Sequence, residues 1–531
     1  MPIPSRTFTR AEVAESAKKL KAGADGDDES PVLFIIDAVV YDVADFLDAH
    51  PGGEFVLRQV AGKDATSDFY NLHRQEALEK YIDDLAVGTI EGEKPSIVRP
   101  KPGDLSLVPY AEPLWLSPVF KSPYFNDSHR RLQRALREFV DTHVAPEAID
   151  KERTGEHIGQ PLIDKMAEAG ILHMRLGPGK HLHGVPLLKS AKNPQGVMNG
   201  SDFDYFHDLI VAQEFVRPAS RGFQDGNMAG LTIGLTVVLH YSNDAVLQKR
   251  VMADCLSGRK KICLAITEAF AGSDVARLRT TAVKTPDGKH YIVNGTKKWI
   301  TNGVFCDYFV VGCQTDKGMS VLLIERGEGV ETKAIKTSYS AAAGTTYITF
   351  DNVKVPASNL MGQENKGIYV ILSNFNHERW GMVCAVNRYS RLVVEECLKW
   401  AHQRLVFGKR LIDQPVIRLK LAKMIALVES HQSWLETITY QMCKLPYEEQ
   451  AKHMGGPIGL LKMSTTRMSH EIADEAVQIW GGRGLTQTGM GRVVENFNRT
   501  YKFDAILGGA EEVLGDLGVR QAMKFMPKSV L

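Results

Sequence analysis

The sequence predicts a multidomain protein in which a small α+β unit precedes a helical domain, a β-barrel or β-sandwich domain and a helical C-terminal domain. Three observations carry this. The length, 531 residues, exceeds what one ordinary core accommodates. Apolar spacing is helical from about residue 126, changes to short alternating strands near 262, and returns to helical near 361. Prolines at 95, 100, 102, 109, 113, 118 and 123 separate the first unit from the rest. The boundaries read 1–92, a spacer at 93–123, then 124–260, 261–357 and 358–531.

Charge is balanced, 64 Lys and Arg against 63 Asp and Glu, so the sequence offers no electrostatic case for nucleic acid or an anionic membrane surface. Seven scattered cysteines with no CxxC pair point to reduced thiols in an intracellular compartment rather than a disulfide framework or zinc site. No apolar run reaches the length of a membrane span. The C-terminal Lys-Ser-Val-Leu only loosely echoes the peroxisomal Ser-Lys-Leu address, and acidic residues by Glu12 weaken a mitochondrial leader. The expected location is cytoplasmic, with peroxisome and mitochondrion as the alternatives.

In the first unit, Thr9 followed by Glu12 predicts a capped helix start, and a polar stretch at Lys21–Ser30 leads into the strand VLFII. In His50-Pro51-Gly52-Gly53 the Pro and Gly halt a helix and expose His50 on a tight turn, with a new helix from about Glu54. His73 follows a second turn and helix. YDVADFLDAHPGG, AGKDAT and the following His resemble cytochrome b5 across nearly the whole unit. The resemblance implies that His50 and His73 are axial ligands of a b-type haem, which with both faces ligated carries electrons and does not bind oxygen. The Trp usual before the first strand of that family is absent, and the ligand spacing is shorter by about one residue.

The proline-rich connection predicts an extended, semi-rigid spacer on which one domain could swing over another. HRRLQRALREFVDTHVAP reads as a helix ending before Pro146, and Gly226 to Gly234 reads as close packing of a helix.

From Cys263 to Gly303 two strands flank a small-residue loop, Ala-Phe-Ala-Gly-Ser-Asp, and a Pro-Asp-Gly turn. Such a loop lets backbone N–H groups approach an anion or planar ring, and Trp299 is placed to stack on something flat. ITEAFAGSD followed by KKWITNG resembles the paired flavin signatures of the acyl-CoA dehydrogenase family. That resemblance covers residues 120–520 and implies the family's fold: helical domain, central β domain and C-terminal four-helix bundle. It further implies that Thr267 and Thr301 hydrogen-bond FAD, that the loop around Gly272 approaches it, that Trp299 packs on it, and that Ser273 sits where flavin and acyl-CoA meet. AHQRLVFGKRLIDQPVI and QIWGG resemble the segments that receive FAD from a neighbouring subunit, through Arg404, Phe407, Gln478, Gly481 and Gly482. The implied assembly is a homodimer or homotetramer.

Dehydrogenation of an acyl-CoA needs a carboxylate to take the α-proton while hydride leaves the β-carbon for FAD. Where most of the family carries this Glu near the C-terminus, the sequence has Gly508. Isovaleryl-CoA and long-chain members carry it on a helix after the β domain, immediately before an Arg, which Asn376-His377-Glu378-Arg379-Trp380 matches. Glu378 is thus the expected base and Arg379 a candidate for positioning substrate. The expected function is an FAD-dependent acyl-CoA dehydrogenase whose haem domain transfers electrons, with an electron-transfer protein as a further partner. Two other readings fit the scaffold: a flavin oxidase or monooxygenase acting on a nitroalkane or secondary-metabolite thioester, and a catalytically retired flavin and haem redox protein.

Overall fold

The computed structural model describes residues 5–22, 31–97, 100–527 and 529. Most of the polar stretch Lys21–Ser30, and the C-terminal Lys-Ser-Val-Leu apart from Ser529, lie outside the described residues. The chain forms two compact units. One comprises Met1–Lys101 with Lys399–Ile417 and Trp480–Arg492; the other comprises Pro102–Leu398, Arg418–Ile479 and Val493–Leu531.

The first unit is built on a four-stranded sheet in the order β1-β4-β3-β2. Its strands are β1 (Thr7–Phe8), β2 (Leu33–Ile36), β3 (Val39–Asp42) and β4 (Ala86–Ile90). Every residue of β2 is buried, because the sheet is covered on both faces. Phe34 and Ile36 join Leu57 and Leu78 on one side, while Leu33 and Ile35 join Val13 and Ile90 on the other, the division that a period of two imposes. Helix α1 (Arg10–Ala22) opens with reciprocal capping: Glu12 N–H donates to Thr9 Oγ1 at 3.2 Å, and Thr9 N–H donates to Glu12 Oε2 at 2.6 Å. Helices α2 (Glu54–Val60), α3 (Thr66–Leu72) and α4 (Gln75–Leu85) complete the cover.

The proline-rich segment differs from the extended spacer expected. At its start Ser96 and Ile97 donate backbone N–H groups to Asp37. From Pro102 onward the chain belongs to the second unit and is packed in it. Trp115 is buried and stacks on Phe125 at 4.0 Å. Glu112 pairs with Arg137 at 2.6 Å and Arg388 at 3.0 Å. Seven prolines give local stiffness, but one acidic and a few apolar anchors decide where the segment lies.

Helix α5 (Asp127–Phe139) does not end before Pro146. It runs through a π-helical turn, Val140–Val144, into α6 (Ala145–Thr154). The wider turn re-registers the hydrogen bonds, so Pro146 occupies the first turn of α6, where a missing N–H costs nothing. Helix α7 (Tyr205–Val216) packs on α5. The glycine run packs against backbone: a Cβ at Gly230 would lie 2.0 Å from Ile262 O, and one at Gly226 2.4 Å from Ala342 O.

The central sheet has eight strands. They are β5 (Ile262–Ala265), β6 (Thr281–Lys284), β7 (His290–Ile300), β8 (Tyr308–Thr315), β9 (Gly318–Glu325), β10 (Val330–Ala334), β11 (Thr346–Pro356) and β12 (Leu360–Met361). Their order is β10-β11-β7-β6-β8-β9-β12, with β5 parallel to β8. The β6–β7 hairpin turns at Gly288, whose φ of +69° explains the Pro-Asp-Gly sequence. Five longer helices follow: α8 (Phe375–Gln403), α9 (Pro415–Lys444), α10 (Gly455–Trp480), α11 (Arg492–Ile506) and α12 (Glu511–Met523).

Candidate active site and haem site

Glu378 lies in the first turn of α8 and is half-buried. Its carboxylate accepts no hydrogen bond among the described residues. Burial raises its basicity above the ordinary carboxylate value, against the opposing pull of Arg379, Lys462 and His377. The turn Gly508-Gly509 lies against it. A Cβ on Gly508 would sit 3.6 Å from Glu378 Oε1 and 2.9 Å from Met382 Sδ, so the two positions at which a base was sought converge on one place. Gly508 has φ +65° and Gly509 φ +113°, conformations that suit glycine. Arg379, nearly buried, donates from Nε to Gly508 O at 2.8 Å, and Lys462 from Nζ to Gly509 O at 2.7 Å. Arg379 thus holds the turn. Neighbouring His377 donates from Nε2 to Asp208 at 2.7 Å and stacks on Trp380, fixing the start of α8.

In the same unit, β7 and the loop after β5 present the predicted flavin residues. Trp299 is half exposed with φ +65°, a backbone conformation bulky residues rarely adopt. The hydroxyls of Thr267, Ser273 and Thr301 make no hydrogen bond among the described residues, and a Cβ on exposed Gly272 would meet nothing within 4 Å. A half-exposed indole with Lys298 Nζ 4.6 Å from its ring centre, hydroxyls without partners among the described residues and an unobstructed backbone fit a planar, hydrogen-bonding group such as the isoalloxazine. Beneath the loop, Glu268 receives N–H groups from Arg279 and Thr280 and the Nζ of fully buried Lys297 at 2.8 Å. Sequence reasoning passed over this pair. The signal was there: Tyr291, Val293, Gly295 and Lys297 share the inward face of β7.

The other unit carries the second group of predicted cofactor residues except Gln478, which belongs with Glu378. Phe407 tips the hairpin Leu405–Arg410, 99% exposed with φ +50°. Arg404 lies 5.8 Å from the Trp400 ring and makes no ion pair among the described residues. Trp400 stacks on Trp480 at 4.8 Å, directly before exposed Gly481 and Gly482, and Gln478 is exposed two residues earlier.

In that unit His50 and His73 face each other with ring centres 6.0 Å apart. Each Nδ1 donates to a backbone carbonyl, His50 to Gly53 O at 3.1 Å and His73 to Phe69 O at 3.2 Å. This orients both rings and leaves both Nε2 atoms free, the arrangement of iron-ligating imidazoles. Phe69 stacks on His73 at 4.7 Å and Phe46 meets His50 edge-on. Burial, with a small contribution from His50, holds His73 below histidine's ordinary value, so it is neutral and ready to ligate.

Another cluster, His129, Asp204 and His207, brings three ligand-type atoms together within 4.8 Å. Its imidazoles are stacked at 3.9 Å and serve the N-caps of α5 and α7, with Asn126 N–H donating to His129 Nδ1 and Asp204 N–H to His207 Nδ1. Stacked rings aim their lone pairs side by side, which suits capping.

Residues 9–91 match the cytochrome b5-like heme/steroid binding domain. Residues 126–179, 263–353 and 365–523 match the N-terminal, middle and C-terminal domains of acyl-CoA dehydrogenase. The acyl-CoA dehydrogenase apdG of Emericella nidulans is 37% identical over 432 residues, 79% of this chain and 96% of that protein. The acyl-CoA dehydrogenase AFT10-1 of Alternaria alternata is 35% identical, over 79% and 96%. Among solved structures, the acyl-CoA dehydrogenase of Geobacillus kaustophilus is 25% identical and superposes with a TM-score of 0.66, over 76% of this chain and 100% of that one. The chain belongs to the acyl-CoA dehydrogenase family and carries an N-terminal cytochrome b5-like domain. It is a flavoprotein-family oxidoreductase acting on CH–CH groups. Among the described residues no helix is long and apolar enough to cross a membrane.

Proposed function

We propose that this protein dehydrogenates an acyl-CoA thioester between its α and β carbons, with Glu378 as the base, and that its N-terminal unit holds a haem b for electron transfer. The carrying observation is the Glu378 carboxylate, which is half-buried, accepts no hydrogen bond among the described residues and is raised in basicity by burial. Bound FAD supplies the acceptor for the β-hydride, and bound haem an acceptor for single electrons. Glu378 takes the α-proton, and Arg379 bears on the substrate through the turn it holds. Thr267 and Thr301 would offer hydroxyls to a bound flavin, Trp299 would pack on it, and Ser273 would contact flavin and thioester. Arg404, Phe407, Gln478, Gly481 and Gly482 address FAD of a second copy of the chain, which supports a homodimer or dimer of dimers. His50 and His73 hold iron through Nε2. With both groups bound, an outside acceptor such as an electron-transfer protein would take up the electrons.

The reading is tested by turnover of a panel of short, branched and long acyl-CoAs with an artificial acceptor under anaerobic conditions. A 2-enoyl-CoA forms with the native protein and not with Glu378→Gln, whose FAD content is unchanged. Formation by both proteins at equal rates would remove Glu378 from the mechanism. Rapid peroxide formation in air without enoyl product would favour an oxidase.

A further inference from the structure

Sequence reasoning singled out Glu378 and Gly508 but passed over the residue that touches the environment of both. Lys462 is fully buried in the N-terminal third of α10, the single charge in the run Gly455–Thr466. A buried ammonium is costly unless something nearby uses it. Its one hydrogen bond among the described residues is to Gly509 O at 2.7 Å. Together with Arg379 on Gly508 O, it pins two successive carbonyls of the turn that lies against Glu378. Four charged groups act on Lys462: Asp504 from α11, Glu378 and Arg379 from α8, and Glu511 from α12. Asp504 is engaged by Arg221 at 2.5 Å, and Glu511 by Arg467 at 3.2 Å. Glu378 is the one of these anions that makes no ion pair within 4.0 Å among the described residues, with Arg379 and Lys462 the cations that act on it.

We propose that Lys462 is a positioning residue for proton abstraction, fixing the Gly508-Gly509 turn that lies against Glu378 and placing a cation behind that turn. This rests on the reading of Glu378 as the base. Burial lowers Lys462 to about 8, so it is largely charged at neutral pH and loses that charge just above it. Its charge opposes the effect of burial on Glu378. Removing it raises Glu378 further, and the base is then protonated over a wider pH range.

The test compares the FAD-loaded native protein with Lys462→Met, Lys462→Gln and Glu378→Gln. Two readouts are followed against pH: the rate of flavin reduction by a saturating acyl-CoA, and the infrared carboxyl band of Glu378 without substrate, assigned by its loss in Glu378→Gln. In Lys462→Met the acid limb and the carboxyl titration both move up by about one pH unit. Reduction at pH 7 slows about tenfold, with acyl-CoA affinity changed less than about twofold. Lys462→Gln keeps a donor for Gly509 O but no charge; it shows the same shift with a smaller loss of rate, and serves if the Met variant does not retain FAD. Native pH limbs in both Lys462 variants, with Glu378→Gln inactive, would overturn the role of Lys462 alone. Native activity in Glu378→Gln would overturn the base assignment and this proposal with it.

Discussion

Glu378 combines a function with a cost. In the unfolded chain it titrates at the ordinary carboxylate value, and burial raises it in the fold. Its contribution to stability is therefore present below the unfolded value and lost as pH rises through the folded one, so ionising Glu378 in the fold costs stability. Glu378→Gln is predicted to melt at or above the native temperature at pH 7 while losing activity by about 100-fold or more, read by calorimetry and turnover. Gly508→Ala is predicted to cost about 1–2 kcal/mol, because φ is +65°, and to slow turnover by pushing on Met382 and Glu378. A native melting temperature and rate for that variant would mean the turn does not support the base. Glu378 and the flavin loop were legible because motifs mark them. Lys297 and Lys462 were not, since a lysine reads as surface unless its strand face or its uncharged surroundings are weighed.

The segment 102–125 shows where composition misleads. Its prolines predict a spacer, yet Glu112 sits between Arg137 and Arg388, and Arg137 also holds Glu214 at 2.7 Å. Burial works to raise Glu112, but Arg388 and Arg137 outweigh it and hold it down to about 2. The stability this supplies is complete above the unfolded value and is lost as pH falls from there toward 2. Glu112→Ala, which takes the carboxylate from buried Arg388 and leaves Arg137 with Glu214 alone, is predicted to destabilise the second unit by about 3 kcal/mol at pH 7 and to flatten its acid unfolding over that window, read by denaturant titration. A change below about 0.5 kcal/mol would mean the segment is held elsewhere. The π-helical turn before Pro146 was equally hidden: helix periodicity marks two helices and a proline, and cannot tell a break from a widened turn. Long helices and the β6–β7 hairpin were legible from period and turn residues, which depend on near neighbours only.

For the protein as a whole, the candidate base and flavin loop lie in one unit and the candidate haem ligands in the other, and each set is marked by a local motif. How the segments at 399–417 and 480–492 join the N-terminal unit was not legible, for that depends on contacts hundreds of residues apart. His73→Ala is predicted to abolish the haem spectrum and leave flavin reduction by acyl-CoA within about twofold of native, which separates the two functions. The most direct measurement is anaerobic rapid mixing of the fully loaded protein with its best acyl-CoA, following the flavin and haem bands together. The account predicts flavin bleaching first, haem reduction after it, and neither in Glu378→Gln. Haem reduction that persists in Glu378→Gln, or no flavin bleaching by any thioester, would contradict it.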